Sequence, residues 1–125
     1  MAEHPNSGPE VLNGSAQRLR IHLGEADRVQ GRPLHEAIVN AAREAGLAGA
    51  TVLRGVASYG AGSVVHTAKV LRLSEDLPLV IDIVDAPARI DGFRPRLEAL
   101  IDAAGGGGLV TLEPVQVLRY HVRTS

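Results

Sequence analysis

Apolar and polar residues follow one another along this chain in two regular patterns, which predict five strands and two helices. Between Arg18 and Leu23, every second residue is apolar and the others are basic, as in a strand with one buried face. The same argument predicts strands over 51–56, 66–73, 79–84 and 109–118, the last interrupted at Pro114. Because proline cannot donate a ladder hydrogen bond, Pro114 is expected at a bulge or an unpaired edge.

The two helices are predicted from apolar residues at helical spacing. The first follows Pro33, which suits a first helical turn because its missing N–H costs nothing there, and it ends at Gly46. The second runs from Asp91, a plausible N-cap, to Ala104, where four glycines break it. The two apolar stripes consist of Leu34, Ile38, Ala41 and Ala45, and of Phe93, Leu97, Leu100, Ile101 and Ala104.

Four of these strands and the two helices give the order β-α-β-β-α-β, which predicts an α+β fold of the ferredoxin-like type. It is a four-stranded antiparallel sheet with an extra or bent C-terminal strand and two helices on one face. Residues 79, 81 and 83 should face the helices, and Asp82 the other way. The opposite face is expected to carry Val52, Val56, Val80, Val84 and Asp82. Because exposed apolar area on a sheet usually marks an interface, we expect the chain to oligomerise through that face.

Composition limits the classes of function. A chain of 125 residues is expected to form one domain, here over 17–123, after a disordered N-terminal tail over 1–16. A net charge of −1 argues against nucleic-acid binding, and the absence of cysteine excludes disulfides and thiolate metal sites. We found no apolar run of about 20 residues and no signal-peptide pattern, so we expect a cytoplasmic protein without membrane insertion.

Three segments together resemble one known group of proteins. They are Gly24-Glu25 with Asp27 and Pro33-Leu34; Gly49-Ala-Thr-Val-Leu-Arg-Gly55 with Tyr59-Gly60; and Leu73-Ser74 with Asp76-Leu-Pro78. In this order they resemble the PII signalling superfamily, in particular its branch named domain of unknown function 190. The resemblance extends from Leu19 to about Leu118.

The resemblance implies a non-enzymatic, homotrimeric regulator. Its three sheets would face inward, an adenine nucleotide such as ATP, ADP or AMP would bind between subunits, and the 57–65 loop would signal to a partner, for instance a membrane transporter. Carried over by position, the ligand-binding residues are Arg54, Gly55, Tyr59, Gly60, His66, Gly105, Gly106, Gly107, Gly108 and Arg119. The sequence departs from the PII pattern in one respect, because its glycine loop contains no lysine.

Several of these residues allow a simpler interpretation. Gly105–Gly108 could bind an anion through backbone N–H groups or simply end a helix. Arg54 could bind a phosphate or form an intersubunit salt bridge with Asp82 or another acid. His66 could contact a metal or ligand or be a solvated strand residue. Tyr59 resembles a modification site, although nothing in the sequence indicates a modifying enzyme.

Other functions remain open at this level. A metal-responsive trimer related to PII is one, although the five histidines form no H-x-x-x-H or H-E-x-x-H pair. A small ferredoxin-like hydrolase is another, although no nucleophile with its base stands out. Asp82 and Asp85 should point to opposite faces of a strand, which argues against a catalytic pair. RNA binding is disfavoured, because the relevant strands offer no aromatic residue for stacking.

Overall fold

The computed structural model describes residues 14–59, 65–67 and 77–121, and its centre is a four-stranded antiparallel sheet. The strands are β1 (Gly14–Gly24), β2 (Arg28–Val29), β3 (Arg32–Pro33), β4 (Thr51–Arg54), β5 (Ala57–Tyr59), β6 (Val65–Thr67), β7 (Pro78–Asp85) and β8 (Leu109–Val117). The helices are α1 (Leu34–Glu44) and α2 (Pro87–Ala103). The sheet has the order β4-β7-β1-β8, which is the ferredoxin-like order predicted from the sequence.

The strand register decides which side chains face the helices. Ile21 of β1 lies opposite Ile81 of β7 and Val110 of β8, and directly opposed residues of neighbouring strands share a face. The core between this face and the helices is aliphatic except for one phenylalanine, as the low aromatic content requires. Its largest buried members are Leu19, Ile21, Ile38, Ile81, Ile83, Ile90, Phe93 and Leu97.

The other side of the sheet, called the open face below, is not covered by any helix among the described residues. It combines aliphatic side chains with ion pairs, and most of its residues are half-buried or exposed. From β4 to β8 it carries Thr51, Leu53, Val80, Asp82, Val84, Arg18, Arg20, His22, Leu109, Thr111, Glu113 and Val115.

Both helices end in the same way, with a glycine in the left-handed conformation. After α1, the N–H of Gly46 (φ 78°) donates to the carbonyl of Arg43, and the N–H of Leu47 donates to that of Ala42. This pair of hydrogen bonds is a Schellman motif, which satisfies carbonyls that a helix end leaves unpaired. The predicted end of the first helix at Gly46 is therefore confirmed.

The predicted start of the second helix at Asp91 is wrong, because α2 begins at Pro87. Ala86 is extended, and Pro87 then occupies the first helical position, where its fixed φ suits a helix. The carboxylate that assists this end is Asp85, whose Oδ1 accepts a hydrogen bond from the N–H of Ala86 at 2.7 Å.

The first and last strands also differ in detail from the prediction. β1 begins at Gly14, four residues before the predicted start, and so takes in residues 14–16 of the predicted tail; the rest of that tail lies outside the described residues. β8 runs without interruption through Pro114. Its position at the edge of the sheet explains this, since the prolyl nitrogen needs no partner there.

The prediction for the loop between the second and third predicted strands is partly wrong. The sequence predicts a mobile loop over 57–64 that is too rich in glycine for a strand ladder, yet β5 and β6 form a separate two-stranded antiparallel sheet. In it Ser58 lies opposite His66, and Tyr59 opposite Val65. The three residues of β5 are not glycines and can form a ladder, whereas the glycines follow them. The predicted strand over 66–73 lies outside the described residues after Thr67.

The predicted members of the open face need correction on β4. Val52 lies opposite Ile81, and Arg54 lies opposite Leu79, so both share the helix-facing side. Arg54 is the last residue of β4 rather than a mid-strand residue, and Val56 is outside the main sheet. A register error of one residue moves every side chain to the other face, and Leu53 thereby takes the place predicted for Val52.

Candidate functional site

The predicted ligand residues lie mostly at one end of the sheet. At this end β4 and β1 finish and β7 and β8 begin, so Arg54 and the glycines 105–108 are at the same height. They lie at opposite edges, because β4 and β8 are separated by β7 and β1. Three inter-strand spacings amount to about 14 Å. The described part of one chain therefore does not bring Arg54 and these glycines into contact.

Arg54 forms an ion pair within its own chain. Its Nη2 donates to Oε2 of Glu25 at 2.6 Å, and its side chain is 60% exposed. Asp82, one of the acids considered as an intersubunit partner of Arg54, pairs within the chain with Arg20. The register of β4 turns Arg54 away from the face that carries Asp82. The intersubunit salt bridge of Arg54 stays a prediction.

The first loop holds Glu25 in place. The N–H of Glu25 donates to the carbonyl of Leu77 at 2.7 Å, and the carboxylate of Asp27 accepts from the N–H of Gly24 at 2.9 Å. The loop then forms the short β2–β3 hairpin around Gln30 and Gly31, both with positive φ, as a type I′ turn requires. No local pattern in the sequence indicates that Glu25 has a partner 29 residues away.

Gly55 connects β4 to β5 through a close contact. Its N–H donates to the carbonyl of Pro78 at 2.7 Å, and a Cβ added to Gly55 would lie 3.1 Å from Cγ of Pro78. A side chain at position 55 would therefore push against the start of β7. This contact gives a physical reason for glycine at the point where the chain leaves the main sheet.

Gly105–Gly108 have two distinct structural roles. The N–H groups of Gly105 and Gly106 donate to the carbonyls of Asp102 and Ile101, which is the Schellman motif that ends α2. These two N–H groups are engaged by the helix end. Gly108 directly precedes β8 and has a φ of 107°, and a Cβ there would lie 2.7 Å from the carbonyl oxygen of His22.

The remaining predicted residues are placed by the backbone only in part. Tyr59 is the last residue of β5, and His66 is the middle residue of β6. Gly60 lies outside the described residues. Arg119 is exposed and follows the end of β8. Since β8 starts beside the glycines and runs away from them, Arg119 lies at the opposite end of the sheet from Arg54.

The open face carries two ion pairs that the sequence did not assign. Arg20 binds Asp82 in a bidentate manner, with Nε to Oδ1 at 2.7 Å and Nη2 to Oδ2 at 2.9 Å. Arg18 binds Glu113 at 2.7 Å. The hydrogen bond from Arg20 is the main cause that lowers the pKa of Asp82, against the opposing effect of desolvation, and the same bond raises the pKa of Arg20. The Asp82 carboxylate therefore remains ionised to lower pH in the folded chain than in the unfolded one.

Asp82 and Asp85 lie on opposite sides of β7, as predicted. Asp82 is half-buried on the open face, whereas Asp85 is 1% exposed beneath the helices. The carboxylate of Asp85 accepts from the N–H groups of Ala48 and Ala86 and pairs with Nε of Arg89 at 3.0 Å. The two carboxylates thus serve separate contacts and do not form a catalytic pair.

Two further findings concern metals and membranes. Among residues 14–59, 65–67 and 77–121, no three histidine or acidic side chains come together in a way that could hold a metal ion. Within the same residues, neither helix combines the length and the apolar character needed to cross a bilayer.

Comparison of the fold with solved structures gives a PII-like match. The chain superimposes on CPII, a nitrogen regulatory PII-like protein from Thiomonas intermedia K12 bound to ADP, AMP and bicarbonate, with a TM-score of 0.65. The match covers 84% of this chain and 90% of CPII at 17% sequence identity. The four-stranded sheet with two helices on one face is thus a PII-like fold.

Sequence comparison identifies closer relatives. A UPF0166 protein of Aquifex aeolicus is 34% identical over 100 residues, which cover 80% of this chain and 90% of the relative. A UPF0166 protein of Methanocaldococcus jannaschii is 33% identical over 90 residues, covering 72% and 82% respectively. The family model DUF190, described as "Uncharacterized ACR", matches residues 16–117. The chain therefore belongs to the DUF190 family and has a PII-like fold.

Proposed function

We propose that this chain is a non-enzymatic, PII-like regulatory protein that acts as a homotrimer. In this proposal an adenine nucleotide binds between neighbouring subunits and signals to a partner through residues 57–65. The observation that carries the proposal is the PII-like fold shared with CPII, whose structure contains ADP, AMP and bicarbonate.

The open face supports self-association. Its aliphatic residues include Leu53 and Leu109, which are 50% and 55% exposed, and exposed apolar area of this kind is typical of interfaces. Its charges are already paired within the chain, Arg18 with Glu113 and Arg20 with Asp82. Burial between subunits would then leave none of these four charges unpaired, which removes a large part of the cost of burying charge.

The separation of the ligand candidates also supports a site between subunits. Arg54 lies at the β4 edge, the glycines at the β8 edge and Arg119 at the far end of β8. A ligand in contact with Arg54 and also with the glycines or Arg119 needs residues from two chains. In the proposal, Arg54, Gly55, Tyr59, Gly60, His66, Gly105, Gly106, Gly107, Gly108 and Arg119 line such a cleft.

A panel of nucleotides tests the proposal directly. The protein should have the solution mass of three chains, and ADP or AMP at millimolar concentration should raise its melting temperature because ligand binding stabilises the native state. Adenosine, which lacks phosphate, is the matched control ligand. A monomer, or a melting temperature unmoved by ATP, ADP, AMP and cyclic nucleotides, would refute the nucleotide-binding trimer.

A further inference from the structure

One ion pair joins the first loop to the base of the β5–β6 sheet. Glu25 follows β1 directly, and Arg54 is the last residue of β4, separated from β5 by two residues. Their side chains meet at 2.6 Å between Oε2 and Nη2. The pair therefore connects the loop after β1 to the point where the chain leaves the main sheet.

The backbone holds both partners in place. The N–H of Glu25 donates to the carbonyl of Leu77, and the N–H of Gly55 donates to the carbonyl of Pro78, each at 2.7 Å. These acceptors are consecutive residues, since Leu77 directly precedes β7 and Pro78 is its first residue. The backbone is thus fixed at Glu25 and directly after Arg54, on either side of one short segment. This arrangement places the two side chains within reach of each other.

The ion pair is open to competition. The hydrogen bond to Glu25 occupies one of the five N–H donors of the Arg54 guanidinium, and the side chain is 60% exposed. An exposed pair of this kind contributes little net free energy because water screens it. A phosphoryl group has more negative charge and more acceptor oxygens than a carboxylate and can bind a guanidinium in a bidentate manner.

A second cation lies beside the pair. Nη1 of Arg28 is 3.4 Å from the carbonyl oxygen of Glu25, and the Arg28 side chain is exposed. The corner carries two guanidinium groups, those of Arg28 and Arg54, and two carboxylates, those of Glu25 and Asp27. An anion that replaces Glu25 at Arg54 therefore has Arg28 nearby as a second cation.

We propose that the carboxylate of Glu25 competes with a phosphoryl group of the ligand for the guanidinium of Arg54. When the ligand binds, its phosphoryl group displaces Glu25 from Arg54. When the anion binds Arg54, the ion pair between the first loop and the end of β4, just before the β5–β6 sheet, is lost. Ligand binding thereby changes how firmly the β5–β6 sheet is attached to the first loop. The identity of the anion as a nucleotide rests on the proposed function; the link itself does not.

Hydrogen exchange tests the link without any ligand. Glu25→Gln keeps the shape of the side chain but removes its charge, and it should speed amide exchange at Gly55–Tyr59. Glu44→Gln, which removes the exposed ion pair between Glu44 of α1 and Arg96 of α2, is the matched control and should leave that exchange unchanged. If Glu25→Gln exchanges like the wild type at these amides, the link has no mechanical role and the inference is overturned.

Isothermal titration with ADP tests the competition. Glu25→Gln should bind ADP about two- to fivefold more tightly than the wild type, because an exposed competing ion pair is lost. Arg54→Gln should weaken binding about tenfold, and the double variant should bind like Arg54→Gln alone. Equal or weaker binding by Glu25→Gln overturns the competition.

The two proposals fail in different ways. If the wild type binds no nucleotide but Glu25→Gln speeds exchange, the proposed function and the competition are refuted, and the link stands. If the wild type binds ADP and Glu25→Gln has no effect on affinity or exchange, the proposed function stands and this inference is refuted.

Discussion

At the scale of single residues, Gly108 shows how one position in a glycine run differs from its neighbours. It combines a φ of 107° with a site where a Cβ would lie 2.7 Å from the carbonyl oxygen of His22, whereas a Cβ at Gly107 would meet open space. We predict that Gly108→Ala lowers the free energy of unfolding by about 1–3 kcal/mol, because it adds backbone strain and a steric clash.

Urea unfolding at a fixed protein concentration measures this effect. Gly107→Ala is the matched control, and its effect should stay within about 0.5 kcal/mol. Equal losses in the two variants would contradict the close approach of residue 108 to β1.

At the scale of elements, Asp85 joins three of them. Its buried carboxylate accepts from the N–H of Ala48 after α1 and pairs with Arg89 of α2, while Arg89 donates to the carbonyl of Gly46. We predict that Asp85→Asn lowers the free energy of unfolding by about 3 kcal/mol, because it leaves a buried guanidinium without its counter-charge. Thermal or urea unfolding gives the value.

A surface ion pair on the same helix provides the comparison. Glu98→Gln removes the exposed pair with Arg94 and should change stability by less than about 1 kcal/mol. A similar small effect for Asp85→Asn would mean that the connection between β7, α1 and α2 does not depend on this charge.

At the scale of the whole molecule, two adjacent residues of β4 allow the two faces of the sheet to be tested separately as the subunit interface. Leu53 lies on the open face and Val52 on the helix-facing side, and both are exposed at the sheet edge. We predict that Leu53→Lys dissociates the proposed trimer into monomers, because a charge is placed in the apolar interface, while Val52→Lys leaves the trimer intact. Light scattering coupled to size exclusion measures both masses, and a trimeric Leu53→Lys would exclude the open face as the interface.

Much of the fold followed from local patterns. The alternation around Ile21 and Ile81 and the glycine after α1 are short-range signals, and the structure places these residues as predicted. The predicted start of α2 was wrong because Pro87 and Asp91 both suit the N-terminus of a helix. The position of β7, which ends at Asp85, decides between them.

The candidate site was predictable as a set of residues but not as an arrangement. Arg54 and the four glycines could be selected from the resemblance, and they do lie at one end of the sheet. The partner of Arg54 could not be predicted, because Glu25 is distant in the chain and approaches only when β1 and β4 end at the same height around β7.

The sequence by itself determined the order of the four main strands and the two helices, the aliphatic core, and the ferredoxin-like arrangement, because hydrophobic periodicity and glycine or proline positions act over a few residues. Only the tertiary structure decided the register of β4, and with it which of Val52, Leu53 and Arg54 faces the helices. It also decided the pairing of Arg20 with Asp82 and of Arg54 with Glu25. The physical reason is that ion pairs between distant residues depend on strand register, and a shift of one residue reverses every side chain.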